Sequence, residues 1–589
     1  MKKRVADIIM DTLADNGVNQ AFCVVGGGAM FLNNALGISK RIKTIFNHHE
    51  QACAMAAEGY ARYSGTPALC CVTTGPGGTN TLTGVMGAYV DNIPMIVVSG
   101  QCRYNTTVAE TGLNIRYRGV QEFNIVDTVK TMTKYAKMVI NPLEIKREVQ
   151  KAYDIAMSGR RGPVWLDIPQ NVQNAIVEED DLLSIEKSSN IIEASHADME
   201  KVIDLLKNAK RPAIMAGSAV RTCGKWDEFL SFLNNIEIPV VGACVQPDVM
   251  YHKHPLYVGA SGTVGTRAGN FVLQNADVLL VLGAALNFNE TGFVQENFAP
   301  NAHIIMVNVD EDEPKKPGLH VDTFVHCDVV SFFEKMRNVK INSPKDWIDY
   351  AAKLKAKFPL FEGKEEENQE RVNSYNFWQA YNTKEDAENI TILGNNSGIS
   401  PRLQNGMNNR RQRTIANINC GSMGYDVPAA IGAAMASGKK VNLVTGDGSF
   451  MMNLQELATI AHNNLPVHIT IFSNDGYNGI RQTCKNYFNG KNVGCDKESG
   501  ISFPSFAKVA EAFGFPYRIC NNNSEIAESI EWLFAQPSYA ILEVLQKYDN
   551  SPVPRVVSRL RNDGTSEPAY LQDMFPFLDK KLVETLMIE

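Results

Sequence analysis

Several absences narrow what this chain can be. No apolar run approaches the roughly 20 residues a membrane span needs. No Lys/Arg cluster interrupts a composition of 57 basic and 64 acidic residues, so neither nucleic acid nor an anionic membrane is given a footprint. The twelve cysteines show no C-x-x-C and no metal-ligand spacing, and free thiols in a reducing compartment account for them. No G-x-G-x-x-G follows a strand, so no dinucleotide fingerprint is read. The start, MKKRVADIIMDTLADNG, is basic like a signal peptide, but Asp7, Asp11 and Asp15 interrupt its apolar core and make it an amphipathic helix. The expectation is a cytoplasmic protein without membrane or nucleic-acid partners.

What is present is an ordinary globular balance, 44% apolar and 21% charged over 589 residues, enough for roughly three to four domains. The most informative stretch is 441–481, VNLVTGDGSFMMNLQELATIAHNNLPVHITIFSNDGYNGIR. A β-rich run, 441–445, stops at Gly446-Asp447-Gly448. Leu454, Leu457, Ala458 and Ala461 follow at helical spacing as far as Asn463-Asn464-Leu465-Pro466. A second β-rich run, 467–472, stops at Ser473-Asn474-Asp475-Gly476. Parallel strands joined by a helix put both turns at the strands' carboxyl ends, where open α/β sheets bind ligands. Glycines beside Asp447 admit a diphosphate, the next helix offers it an N-terminus, and Asp447 and Asn474 are hard oxygen donors suited to Mg²⁺. Taken singly, each is an ordinary turn. Together, the 25 residues 449–473 between them resemble the thiamine-diphosphate signature, a GDG and an Asn-rich turn about that far apart.

In chain order, 1–175 reads as a first α/β unit with strands at 21–25, 68–73, 95–99 and 162–169 and glycine-rich turns at Gly26-Gly27-Gly28 and Gly75-Pro76-Gly77-Gly78. The acidic run 176–199 reads as a linker into a second unit, 190–345, where Gly217 and Gly283 follow strands. The charged run 353–372 reads as a second linker, 373–547 as the third unit, and 548–589 as a partly irregular tail. Three doubly wound parallel-sheet α/β domains are expected.

The segments FNHHEQACAMAAEGYAR (46–62), TTGPGGTNTLTGVMGAYVDNIPMIVVSGQ (73–101), GPVWLDIPQNVQ (162–173) and GSMGYDVPAAIGA (421–433) resemble the acetolactate synthase family over nearly the whole chain. That resemblance implies a pyrimidine-binding, a central and a diphosphate-binding domain, in that order, with thiamine diphosphate and Mg²⁺ as cofactors. It implies Glu50 as the catalytic carboxyl group that shares a proton with the pyrimidine ring and promotes the tautomer that deprotonates C2. A dry setting strengthens such an interaction; standing alone, Glu50 would be an acid at a helix N-terminus, favoured by the dipole. Gly26, Gly27, Gly28 and Gln121 are implied around the thiazolium and acyl group, with Thr74 and Asn80 as further cofactor contacts. On the diphosphate side fall Asn395, Asn396, Ser422, Met423, Gly446, Asp447, Gly448, Ser449, Asn474, Gly476, Tyr477 and Asn478. The metal ligands implied are Asp447, the Asn474 side chain and the Gly476 carbonyl. Met423 matches the bulky residue that bends the cofactor and brings its amino group near C2.

The sequence departs from the synthase pattern at several points. Cys484 stands where synthases carry a Trp that helps select the second 2-oxo acid, and Val120 where they usually carry Phe. Losing aromatic surface enlarges a pocket, so an acceptor bulkier or more polar than pyruvate is expected. GYNGIRQT, ISFPSF (501–506) and the Pro-Val-Pro tail resemble a synthase-like subfamily associated with deoxysugar and surface-polysaccharide pathways, with Arg481 as a contact for an anionic acceptor or simply a solvated loop arginine. The segment 102–125 has no histidine pair of the pyruvate decarboxylase kind. The flavin pattern G-x-R-x-x-x-x-x-T-G keeps Gly283 and Thr291-Gly292 but has Ala285 for the Arg; substitute contacts from Gly262–Arg267 leave FAD open. Asn395-Asn396 replaces a common Gln-His, and amides still donate hydrogen bonds there.

The resemblance therefore implies decarboxylation of a 2-oxo acid, pyruvate foremost, and addition of the acyl carbanion to a second carbonyl, a keto-sugar being one such acceptor. Plain acetolactate synthesis from two pyruvates is the alternative within the same chemistry. A non-catalytic binding protein is the alternative outside it, and the joint retention of Glu50, Asp447 and Asn474 argues against that. The resemblance also implies a homodimer or homotetramer, since one cofactor must touch Glu50 and Asp447 and in related enzymes the two halves of each site come from different subunits across a two-fold axis.

Overall fold

The computed structural model describes residues 1–186, 191–361, 370–396, 398–548, 552–560 and 565–588. Residues 187–190 and 362–369 of the two expected linkers and 561–564 of the tail's Arg-rich turn lie outside these.

Three six-stranded parallel sheets organise the chain. Across the first sheet the strands run Lys43–Phe46, Gln20–Cys23, Leu69–Val72, Met95–Gln101, Pro163–Pro169 and Tyr135–Met138. The third runs Arg413–Ala416, Ile390–Leu393, Val441–Gly446, Val467–Ser473, Ala540–Leu545 and Tyr517–Cys520. Counting each sheet's strands in chain order, both read 2-1-3-4-6-5, while the central sheet reads 3-2-1-4-5-6. Central strands such as Met95–Gln101 and Val467–Ser473 are buried along their whole length, because helices cover both faces. Strand order reverses between strands 1 and 3 in the outer sheets. The turns after those strands are 26–28 and 73–78 in the first domain, and Asn395-Asn396 and 446–448 in the third. Such reversal points are the ligand crevices of open α/β sheets.

The outer domains share one core. The helix Glu50–Ser64 is Ala-rich and buried continuously from Ala52 to Ala61, too apolar all round to face water on any side. It packs on Asp426–Ser437 so closely that a Cβ on Gly59 would lie 2.5 Å from the Ala429 carbonyl oxygen, and one on Gly432 would lie 2.0 Å from that of Ala56. Around this crossing, Arg62 pairs with the buried carboxylates of Glu58 and Asp91, and the buried Tyr425 hydroxyl donates to Glu58. Arg413 joins all three domains: it pairs with Asp248 at 2.6 Å and donates to the carbonyls of Arg62 and Tyr63.

Several expectations change. Lys2–Arg4 is a short strand ahead of the helix Val5–Asp15; it pairs antiparallel with Ile176–Glu178, so the expected linker begins inside the first domain. Residues 353–357 of the second expected linker belong to the helix Lys345–Lys357. The helix expected after the GDG turn is two helices, Asp447–Met451 and Glu456–His462. The tail is docked on the central domain: Val556, Leu571 and Met574 are buried in its core, and Asn270 and Arg267 donate to the carbonyls of Leu571 and Met574. All twelve cysteines are free, ten of them buried. Among the described residues no helix is long and apolar enough to cross a membrane.

Candidate functional site

The diphosphate half-site is built on the third sheet. Asp447, at the end of Val441–Gly446, is nearly fully buried, and its carboxylate accepts three backbone N–H groups: Gly448 at 2.8 Å, Asn474 at 2.9 Å and Gly476 at 3.2 Å. Burial pushes its carboxyl up to about 6 against the pull of those bonds. The turn has no room for side chains: a Cβ on Gly448 would meet Tyr477 at 2.2 Å, and one on Gly446 would meet Asn396 at 2.9 Å. Asn474 is oriented by its side-chain NH2, which donates to the Gln546 side-chain oxygen at 3.1 Å, and Ser449 accepts the Gly424 N–H at 2.8 Å. Ser422 is fixed by Asn417 at 3.0 Å, and Asn395 donates to the Gly421 carbonyl. Asn395, Asn396, Met423, Gly446, Asp447, Gly448, Ser449, Asn474, Gly476, Tyr477 and Asn478 line one cleft of about 1760 Å³, while Ser422, expected with them, is not part of that lining. One buried carboxylate, an amide oxygen and a turn carbonyl are a hard-oxygen set that fits Mg²⁺ bridging to phosphate.

The second half-site lies on the first sheet. Glu50 begins its helix, where His49 caps by accepting the Gln51 N–H at 3.0 Å. It is half-buried, and Asn80 donates to it at 2.9 Å. A Cβ on Gly77 would sit 3.7 Å from Glu50 Oε1. The Gly28 N–H donates to Thr73 at 3.0 Å, Thr74 donates to the Gly100 carbonyl at 3.0 Å, and a Cβ on Gly26 or Gly28 would strike Thr73 or Thr74. Gln121, left-handed at φ 58°, packs its carbonyl over Gly75 and is exposed with its neighbour Val120. Glu50, Gly26, Gly27, Gly28, Thr74, Asn80 and Gln121 thus share one edge of the first sheet. None of them lines the third-domain cleft of the same chain, whose described lining begins at Phe293.

Two expected acceptor residues are placed elsewhere. Along the helix Asn478–Tyr487, Ile480, Thr483 and Tyr487 line the cleft, while Cys484 is buried and is not part of the lining. Arg481 donates to the carbonyls of Asn474 and Asp475, both at 2.7 Å, and so braces the Asn474–Gly476 turn. Arg267, the substitute flavin contact, is committed to the tail carbonyls of Met574 and Pro576.

The sequence reading missed the residues that tie the first and third domains together. Glu456, fully buried, accepts Asn47 and the His48 N–H at 2.9 Å each, and Asn453 donates to Gln51 at 3.1 Å. Their signal was the N-x-x-E of MMNLQEL, one turn beyond the GDG. It also missed the tail wall of the cleft, Pro552–Arg559 with Phe575 and Phe577, which no local pattern announces.

Two reversal-point half-sites on outer α/β domains, one with an acidic helix start and one with a buried metal-type Asp turn, define a three-domain enzyme of the diphosphate-cofactor type. Residues 3–127, 199–336 and 394–544 match, respectively, the N-terminal TPP binding, central and C-terminal TPP binding domains of the thiamine pyrophosphate enzymes. The chain belongs to that family. It is 29% identical to the Escherichia coli acetolactate synthase isozyme 1 large subunit, over 94% of this chain and 95% of that one. It is also 29% identical to acetolactate synthase 1, chloroplastic, of Zea mays (94% and 87%), and 27% identical to the acetolactate synthase large subunit of Lactococcus lactis (95% and 95%).

Proposed function

We propose that this chain is a thiamine-diphosphate-dependent carboligase of the acetolactate synthase large-subunit type, which decarboxylates a 2-oxo acid, pyruvate foremost, and joins the acyl unit to a second carbonyl compound. The observation that carries this reading is Asp447, buried and held by three backbone N–H groups in a turn closed to side chains, in a chain that keeps Glu50 at the start of a buried helix. When bound, thiamine diphosphate supplies the electron sink for decarboxylation. Asp447, Asn474 and the Gly476 carbonyl would hold Mg²⁺ against its diphosphate, and the glycines at 446 and 448 let the backbone approach. Met423 would support the cofactor from the cleft wall, and Glu50, steadied by Asn80, would hold the proton shared with the pyrimidine ring. The residues do not fit a flavin of the family's pattern, since Ala285 lacks the guanidinium and Arg267 is committed to the tail carbonyls.

The working unit is read as a homodimer or a tetramer built from it. The first-domain half-site lies outside the cleft of its own chain. Met30, Phe46, Met86, Tyr89 and Val120 are each more than a third exposed on that domain, as an uncovered interface would leave them. The acceptor is read as bulkier than pyruvate, a keto-sugar of the surface-polysaccharide type being the leading case. The size of the cleft and the small, 84% exposed Val120 support this. The free cysteines favour the cytoplasm.

Calorimetry with thiamine diphosphate, with and without Mg²⁺, followed by product analysis with pyruvate alone and with a panel of carbonyl acceptors, tests the reading. Mg²⁺-dependent binding and pyruvate consumption lost in Glu50→Gln are the expected results. Efficient acetolactate formation from pyruvate alone would sink the bulkier-acceptor assignment, and no Mg²⁺-dependent binding would return the chain to a non-catalytic role.

A further inference from the structure

The described lining of the third-domain cleft contains three charged side chains: Asp447, Arg555 and Arg559. Asp447 is engaged by backbone N–H groups. Arg559 is paired with Asp573 and lies over the Phe577 ring, 4.0 Å from its centroid. Arg555 differs from both. Its Nε is buried without a hydrogen-bond partner, and no carboxylate among the described residues pairs with it.

The position of Arg555 is nevertheless built. Its N–H donates to the Phe575 carbonyl at 3.0 Å and its carbonyl accepts the Phe575 N–H at 2.7 Å. On one side the Pro554 carbonyl accepts Gln404 at 3.2 Å. On the other the Val556 N–H donates to Thr263 at 2.8 Å, and Val556 is buried in the central core. A guanidinium in such a setting has a fixed stem and a planar fork of donors, suited to receiving a carboxylate or phosphate in bidentate fashion. Its Nε is sealed from the cleft, so the donors offered to a ligand are the terminal guanidinium N–H groups, which have no acceptor among the described residues.

We propose that Arg555 binds the oxyanion, carboxylate or phosphate, of a substrate entering this cleft, and so sets which carbonyl compounds the enzyme admits. The proposal rests on the reading that the cleft takes a second substrate beside the cofactor. It reassigns anion recognition from Arg481, which braces the Asn474–Gly476 turn, to the docked tail.

Titration calorimetry on the holoenzyme, loaded with thiamine diphosphate and Mg²⁺, tests this with glycerol 3-phosphate, lactate and glycerol as probes. Wild type should bind at least one anion and not glycerol. Arg555→Gln should weaken that anion about tenfold or more, with affinity for thiamine diphosphate kept within about twofold, and Arg555→Lys should recover part of the loss. Loss on glycerol 3-phosphate assigns Arg555 to a phosphorylated acceptor; loss on lactate assigns it to the carboxylate of a 2-oxo acid. A loaded wild type that ignores both anions, or an Arg555→Gln that binds them equally well, overturns this inference alone. A fall in cofactor affinity in Arg555→Gln also overturns it, because Arg555 then serves the cofactor's own diphosphate. A wild type that never loads the cofactor contradicts the proposed function and this inference with it.

Discussion

Glu456 of the third domain accepts the side-chain amide of Asn47 of the first at 2.9 Å, and this buried contact fixes the segment leading into Glu50. The same carboxylate accepts the His48 N–H at 2.9 Å and the Thr459 hydroxyl at 2.7 Å. Glu456→Ala strands those donors in a dry setting and should cost about 2–4 kcal/mol, with pyruvate turnover falling as Glu50 loses its register. Glu456→Gln keeps one acceptor oxygen and should cost less than half as much. Urea midpoints of the two variants check the ordering, and equal stability of Glu456→Ala and wild type would show that the contact contributes nothing.

The helix crossing at Gly432 should be intolerant of a methyl group. A Cβ there would lie 2.0 Å from the Ala56 carbonyl oxygen, so Gly432→Ala must push two buried helices apart, at a cost of about 1–3 kcal/mol or more. Gly37, inside the helix Met30–Ile38, has nothing within 4 Å of its Cβ position. Gly37→Ala should stabilise by about 0.5–1 kcal/mol through helix propensity. Thermal melts of the pair should move in opposite directions.

Asp167 predicts a pH dependence of definite sign. It is fully buried beside Ser99 and Gln101, and burial pushes its carboxyl up to about 7. The folded state then holds a proton that the unfolded chain releases near its ordinary pKa of about 3.9. The stability this gives is fully present below that value and is lost as pH rises to about 7, by up to about 1.4 kcal/mol per pH unit. Asp167→Asn removes the dependence, so the melting temperature of the variant relative to wild type should climb from pH 5 to pH 7 and then level off. A constant difference over that range contradicts the assignment.

Much of this molecule was legible in sequence because its signals are local. The Gly446-Asp447-Gly448 turn, the Asn474 turn and the Ala-rich run after Glu50 each announce their own backbone, and strand–helix alternation gives three parallel sheets. What was missed depends on pairings across hundreds of residues. Cys484 is buried in packing behind the cleft wall although it shares a helix with the lining residues Ile480, Thr483 and Tyr487. Arg481 is taken by carbonyls that only the folded turn presents, and the tail is a cleft wall because Val556 and Met574 find the central core. Such contacts leave no periodicity to read.

Metal removal should act through Asp447 and its turn. Chelating divalent cations, or Asp447→Ala, should each weaken thiamine diphosphate binding by about 100-fold or more, since Mg²⁺ joins phosphate oxygens to protein oxygens. Asn474→Ala should weaken it less, because one ligand of three is lost. Calorimetry at fixed free Mg²⁺ checks the order, and full affinity without metal contradicts the ligand assignment.

The central claim, that one thiamine diphosphate site is assembled from Glu50 of one copy and Asp447 of another, is tested most directly by mixing Glu50→Gln and Asp447→Ala proteins under subunit exchange. Each is expected to be inactive alone. Random exchange makes half the dimers mixed, each with one intact site of two, so pyruvate turnover should return to about a quarter of wild type. No recovery after exchange has been proven by native mass spectrometry would contradict the shared site and place both residues' functions within a single chain.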